Sequence, residues 1–222
     1  MEPNVRAVIL DLDGTLLDTA PEIVAAMDRT LEELRLPRLA ASEIEQMIGK
    51  GVPKLVERVV ARVGAKDVDL AAAVLTFETH YEQTVGTIAV PYPGVMLGLE
   101  LFDEAGLKLA VVTNKPRFFT AQLLDRTGIA GWFAAVVAGD DGVAKKPAPD
   151  MLEAACRAMG TAPAQTLMLG DSDNDVLAAR AAGCPVWCVP YGYNEGRPPE
   201  TLACDRLVAT VEEAALLLAR AV

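Results

Sequence analysis

Four short stretches carry the residues that could do chemistry: Asp11-Leu12-Asp13-Gly14-Thr15, Thr113-Asn114, Lys145-Lys146-Pro147, and Gly170-Asp171-Ser172 running into Asp173-Asn174-Asp175. Each taken alone has a plain reading: a turn, a helix cap, a solvated loop and a helix start. Together they supply carboxylates, a hydroxyl, an amide and a lysine. Asp11, Asp13 and Asp171 brought to one place would repel one another without a hard cation. Mg²⁺ suits carboxylate and carbonyl oxygens. A carboxylate can then act as nucleophile toward a phosphoryl group and pass through an acyl phosphate. Thr113, Asn114 and Lys146 would hold the transferring oxygens. Asp13, two residues after Asp11, could protonate the leaving alcohol and later activate water, with Gly14 permitting the turn that aims it.

Other chemistries are poorly supplied. The chain has one histidine, His80, and two serines, Ser42 and Ser172, with no G-x-S-x-G and no H-E-x-x-H. Cys156, Cys184, Cys188 and Cys204 are scattered, which fits buried free thiols better than a zinc site or a disulfide. A net charge of −11 argues against nucleic acid as a partner. No run reaches the ~18–20 apolar residues of a membrane span, and MEPNVR has no apolar core of a signal peptide, so a cytoplasmic protein with no membrane partner is expected. Oligomeric state is unknown at this level.

What must position these residues is a set of short strands. Val5 to Leu10, Leu107 to Val112, Ala135 to Ala138, Thr166 to Leu169 and Val186 to Val189 are mostly near-continuously apolar, as strands buried on both faces of a parallel sheet are. Helical patterns ending at Gly128, Gly160 and Gly183 separate the last four. The pattern predicts an α/β fold with a doubly wound parallel sheet, and in such sheets ligands bind at the carboxyl ends of the strands. Every reactive stretch follows a strand. Residues 18–88 break the alternation and show only helical periodicity, with apolar stripes Ile23, Met27, Leu31, Leu34, then Leu55, Val56, Val59, Val63, then Leu70, Val74, Phe77, Tyr81. Thr19-x-x-Glu22 and Ser42-x-x-Glu45 fit capping boxes. The expected division is an α/β core of 1–17 and 89–222 and a small all-helical cap of 18–88 inserted after the first strand.

The sequence resembles the haloacid-dehalogenase-like hydrolase superfamily, whose pattern hhhhDxDGTLxD, hhhTN, KP, GDSxxD reads here as VILDLDGTLLD, VVTNK, KKPAP and GDSDNDVLAA. The resemblance covers the whole chain. It implies a Rossmann-like core with Asp11 as nucleophile and Asp13 as acid/base and backbone-carbonyl Mg²⁺ ligand. Asp171 would be a second Mg²⁺ ligand and Asp175 a metal-site partner. Thr113 and Asn114 would bind phosphate, and Lys146 would stabilise the nucleophile and the transferring group. The dehalogenase members lack an aspartate two residues after the nucleophile, so Asp13 argues for phosphate substrates. Within the superfamily PYPGV, VVTNKP, KKPAPD, AARAAGCP and GYN look most like the bacterial phosphoglycolate phosphatases, whose tail often begins GYNYG where this chain has Gly192-Tyr193-Asn194-Glu195-Gly196. The function this implies is Mg²⁺-dependent hydrolysis of 2-phosphoglycolate, a small phosphorylated metabolite, through an aspartyl phosphate.

Two rivals remain: a phosphatase or mutase for another small phosphomonoester such as a sugar phosphate, and a receiver-type phospho-acceptor domain. The helical insert counts against the receiver, which needs no cap. The loop Ile48-Gly49-Lys50-Gly51 between two insert helices is the expected specificity element. Its glycines let the backbone bend toward a ligand, and Lys50 or the local amides would meet the substrate carboxylate when the cap closes.

Overall fold

A computed structural model describes residues 5–219, so the first four residues of MEPNVR lie outside the described residues. β1 (Ala7–Leu10), β4 (Lys108–Val112), β5 (Ala135–Val137), β6 (Thr166–Gly170), β7 (Val186–Cys188) and β8 (Arg206–Leu207) form one parallel sheet in the order β5-β4-β1-β6-β7-β8. The fold is the expected doubly wound α/β sheet. Side chains alternate across it: Ala7 and Ile9 enter one apolar cluster and Val8 and Leu10 the other, so both faces of β1 are buried.

On one face lie α5 (Val95–Glu104), α6 (Arg117–Arg126) and α9 (Val211–Ala219), and on the other α7 (Asp150–Met159) and α8 (Asp173–Ala182). The strand order reverses at β1, whose neighbours β4 and β6 lead away in opposite directions. The carboxyl ends of these three strands therefore open on a crevice where a ligand can enter.

Between β1 and β4 the chain leaves the sheet through β2 (Leu17–Asp18) and returns through β3 (Val90–Pro91), which pair antiparallel. Inside that short clasp are α1 (Ala20–Glu33), α2 (Ala41–Glu45), α3 (Val52–Arg62) and α4 (Leu70–Thr84), the helical insert. Its buried stripes are Ile23, Met27 and Leu31, then Leu55, Val56 and Val59, then Ala73, Phe77 and Tyr81. Leu70, expected in the last stripe, is exposed, because the spacing of four that starts at Ala73 carries the packed face.

Two capping expectations fail for local reasons. Thr19 does not cap α1 with its side chain; its hydroxyl donates to Asp13 Oδ1 at 2.7 Å. The helix's first amides, of Thr19 and Ala20, donate instead to the Tyr193 phenol oxygen at 3.0 and 2.9 Å. Glu22 is drawn inward, accepting from Tyr81 Oη at 2.9 Å and from the Gly86 and Ala89 amides at 2.8 and 3.2 Å. In α2 it is Glu43, not Glu45, that reaches back, to the Ala40 amide. The four cysteines are free, Cys204 half-buried and the others buried.

Candidate active site

Asp11 follows β1, Thr113 and Asn114 follow β4, and Asp171 follows β6, so three adjacent parallel strands deliver them to one place. Asp175 arrives from the first turn of α8. One of its oxygens, Oδ2, accepts from the Asp171 and Ser172 amides at 3.2 and 3.1 Å and from Ser172 Oγ at 2.8 Å. The Ser172 amide is the N-cap donor that the start of a helix leaves unpaired. Its other oxygen accepts from Lys146 Nζ at 2.7 Å. Glycine makes this crowding possible. A Cβ at Gly14 would come 2.5 Å from Asp171 Oδ2, and one at Gly170 would overlap the Asp175 carboxyl.

Lys146 is the hub of this cluster. Its ammonium donates to Val112 O at 2.9 Å and to Asp175 Oδ1 at 2.7 Å, and pairs with Asp11 Oδ1 at 2.8 Å. Burial would pull its pKa down, but the two carboxylates outweigh that and raise it. Asp11 Oδ1 also accepts from the Leu12 amide at 2.7 Å, which fixes the carboxylate's orientation. Asp171 accepts from Thr15 Oγ1 at 2.7 Å and from the Tyr193 amide at 2.6 Å.

One lysine does not neutralise three carboxylates, of which Asp171 and Asp175 are buried and Asp11 is largely so. Burial pushes the Asp11 carboxyl up to about 7, with Lys146 opposing and Asp175 adding to the rise. Burial, then Asp175 and Asp11, push Asp171 well above the ordinary carboxylate range. One oxygen from each of Asp11, Asp171 and Asp175 lies within 4.8 Å of the others. A set of hard oxygen donors this close and this short of positive charge fits a divalent cation.

Asp13 is not part of that acidic group, contrary to the crowding expected of Asp11, Asp13 and Asp171. Its carboxylate turns to Lys115, whose Nζ lies 2.8 Å from Oδ1 and 3.0 Å from Oδ2. Lys115 is 6 % exposed and its ammonium stands 5.0 Å over the ring of Tyr81, on α4. The sequence reading passed over this lysine. The available signal was its place directly after Thr113-Asn114 at a strand end.

Thr113 Oγ1 accepts from the Lys115 amide at 3.2 Å. Asn114 Nδ2 donates to Lys146 O at 2.9 Å and, across to the insert, to Gly49 O at 3.1 Å, while its Oδ1 is buried without a partner. A partly open cavity lies between these groups and the insert. Asp11, Asp13, Thr113, Asn114 and Lys115 form its polar side, and Ile23, Ile48, Val52, Leu55, Phe77 and Tyr81 its apolar side. Gly49 and Gly51, with φ of 110° and 82°, bring backbone to the wall, as the loop's glycines were expected to do. Lys50 does not line the cavity. Its ammonium pairs with Glu195 Oε1 at 2.7 Å, and Arg58 of α3 meets the same oxygen at 2.5 Å. Glu195, the position that departs from GYNYG, holds a left-handed backbone with φ 51°.

An aspartate cluster at the switch point of a parallel sheet, covered by helices inserted after the first strand, defines a class of hydrolase. The haloacid dehalogenase-like hydrolase family model matches residues 5–183, and the chain belongs to that family. Within it the chain is a phosphoric monoester hydrolase, similar to proteins named phosphoglycolate phosphatase. It is 43% identical over 222 residues, 98% of this chain and 97% of the relative, to a phosphoglycolate phosphatase of Thiobacillus denitrificans. It is 44% identical over 217 residues, 96% of each chain, to one of Nitrosospira multiformis. A crystal structure described as a predicted phosphoglycolate phosphatase, from Haemophilus somnus, superposes with a TM-score of 0.92 at 28% identity, covering 98% of this chain and 99% of that one. No helix among the described residues is long and apolar enough to cross a membrane.

Proposed function

We propose that the protein hydrolyses 2-phosphoglycolate to glycolate and phosphate, with Mg²⁺ as cofactor and Asp11 as nucleophile. The observation that carries the mechanism is the Asp11 carboxylate, held at the tip of β1 by Lys146 and the Leu12 amide and lining a cavity that Asp13 also lines. The substrate reading is supported by the near full-length similarity to proteins named phosphoglycolate phosphatase.

Asp11, Asp171 and Asp175, with the backbone carbonyl of Asp13, would hold the Mg²⁺. When bound, it supplies positive charge against the carboxylates and the phosphoryl oxygens. An Asp11 oxygen attacks phosphorus, the bond from phosphorus to the glycolate oxygen breaks, and Asp13 gives that oxygen its proton. Water then attacks phosphorus, Asp13 takes a proton from it, and the bond to Asp11 breaks to release phosphate. Thr113 and Asn114 would meet the phosphoryl oxygens, and Lys146 offsets the charge that develops there. The apolar wall of the insert would exclude bulk water from the phosphorylated enzyme.

The test is phosphate release from a panel of phosphomonoesters ranked by kcat/KM, with and without chelator. Phosphoglycolate should lead, EDTA should silence the enzyme, and Mg²⁺ should restore it. Ca²⁺ should bind yet support turnover poorly, because its looser coordination holds the reacting groups less strictly in line. A sugar phosphate at the head of the panel would replace the substrate, and full activity in excess chelator would remove the metal.

A further inference from the structure

The cavity has one ammonium on its wall, and it belongs to Lys115. No other lysine or arginine lines it among the described residues. We propose that Lys115 is the group that recognises the substrate's carboxylate, and that it does so by exchanging Asp13 for that carboxylate. This rests on the phosphoglycolate reading above and adds to it the residue that selects the substrate.

The lysine ammonium groups around the site are committed to different degrees. The three donors of Lys146 have fixed acceptors in Asp11, Asp175 and Val112 O, so it acts on the phosphoryl group through its charge and has no donor left for a carboxylate. Lys50 faces Glu195 outside the cavity. Lys115 has a single anionic partner, Asp13, which engages it with both oxygens. That partner is the side chain whose proposed work as acid and base requires it to reach the leaving oxygen. While bound to Lys115 the Asp13 carboxylate is occupied.

A substrate whose far end is a carboxylate offers Lys115 an equivalent anion. With the phosphoryl group on Asp11, only a short chain separates the leaving oxygen from that carboxylate, and Asp11 and Lys115 line the same cavity. Exchange of one carboxylate for another keeps the ammonium paired throughout. The displaced Asp13 carboxylate, which keeps the Thr19 hydroxyl, takes up a proton from water, which both removes its unpaired charge and supplies the proton the leaving oxygen needs. The exchange also frees Asp13 to turn to the reacting oxygen when the correct leaving group is present.

The insert contributes the surroundings of this ammonium. The Tyr81 ring lies beneath it, and the Tyr81 hydroxyl is tied to Glu22, which in turn holds the Gly86 and Ala89 amides where the chain returns to the core. Seating of the insert therefore places an aromatic face against Lys115 and removes it from water, where a lysine-carboxylate pair is strengthened.

The experiment compares 2-phosphoglycolate with ethyl phosphate, which has a methyl group in place of the carboxylate, in the Mg²⁺-loaded enzyme. In wild type kcat/KM should favour phosphoglycolate. Lys115→Met should lower kcat/KM for phosphoglycolate by about 10- to 100-fold more than for ethyl phosphate, and Lys115→Arg should restore part of the preference. A residue that merely orients Asp13 would lower both substrates equally.

A second measurement does not depend on Lys115→Met folding. In the Asp11→Asn background, adding Asp13→Asn removes the internal competitor, so Kd for phosphoglycolate should fall severalfold more than Kd for ethyl phosphate. A wild type without preference for phosphoglycolate overturns the substrate reading. A wild type with that preference, kept by Lys115→Met, overturns the role of Lys115 alone. Equal changes of both Kd values in the double variant overturn the exchange.

Discussion

Lys146 and Lys115 are both almost fully buried lysines that pair with aspartates from the tip of β1, yet they are built for opposite purposes. Lys146 sits among groups that stay put, a backbone carbonyl, a carboxylate fixed by the start of α8, and the carboxylate of Asp11. Lys115 sits between the core and the insert, on the one aspartate proposed to move. Burial and charge alone do not separate a structural ammonium from a recognising one. The distinction lies in whether its partners have other work.

The largest effect is expected where the fixed centre loses its reactive partner. Asp11→Asn should reduce turnover on the order of 10⁴-fold or more, since an amide of nearly the same shape is a poor nucleophile. Retention of a tenth of wild-type activity would end the covalent mechanism. The same variant tests the charge imbalance. In metal-free wild type the Asp11 carboxyl is raised from 3.8 to about 7, so between those values the folded state holds a proton that the unfolded state lacks. Stability from this source is present at low pH and lost as pH rises to about 7. In the presence of chelator, the Tm of Asp11→Asn should therefore gain on wild type between pH 5 and pH 8. Each 1 kcal/mol is worth ~2–4 °C in a chain of this size. A gap that shrinks over that range contradicts the assignment.

At the second centre, Asp13→Asn should cost on the order of 10²–10⁴ in rate for an alkyl phosphate. With p-nitrophenyl phosphate, whose leaving group needs little protonation, phosphorylation should outrun hydrolysis, giving a burst and then slow turnover. Equal losses at the phosphorylation step for both substrates would take the acid role from Asp13.

Stability separates the two lysines directly. Lys146→Met strands Asp11 and Asp175 in a buried site, so a loss of ~3–5 kcal/mol is expected in metal-free protein. Lys115→Met leaves Asp13 with the Thr19 hydroxyl and partial access to solvent, and should cost only ~1–3 kcal/mol. Urea unfolding of both variants measures the difference. Equal losses would erase the distinction between a fixed and an exchangeable partner.

The fixed centre was legible in the sequence, and of the second only Asp13 was, for a physical reason. Near-continuous apolar strands announce a parallel sheet, and the residues just after them are then neighbours in space however far apart they are in the chain. Asp11, Thr113, Lys146 and Asp171 could be gathered that way. Lys115 could not, because its burial is created by Tyr81 from a helix of the insert, and helical periodicity tells which face is apolar without telling what it covers. The same limit explains Glu22, read as a cap when it is a tie between the insert and the returning chain. It also explains the clasp of β2 and β3, whose strands are two residues each and too short to show a period.

The smallest expected effect sharpens the comparison at its outer edge. Lys50 was the lysine that spacing singled out, and its ammonium lies on Glu195 with a side chain 35 % exposed. Exposed pairs of this kind contribute ~0.2–1 kcal/mol, and Glu195 would keep Arg58 after Lys50→Ala. The variant should change kcat/KM by less than about threefold, in the same proportion for phosphoglycolate and ethyl phosphate, because what weakens is one contact between the insert and the loop of Glu195. Glu195→Ala removes both pairs and the longer one to Arg197 at 3.8 Å, and should act in the same direction, somewhat more strongly, and more at low salt than at high salt. Selective loss of phosphoglycolate turnover in Lys50→Ala, with preference intact in Lys115→Met, would exchange the roles of the two lysines. It would mean that the insert swings far enough in turnover to carry Lys50 into the cavity and Tyr81 away from Lys115.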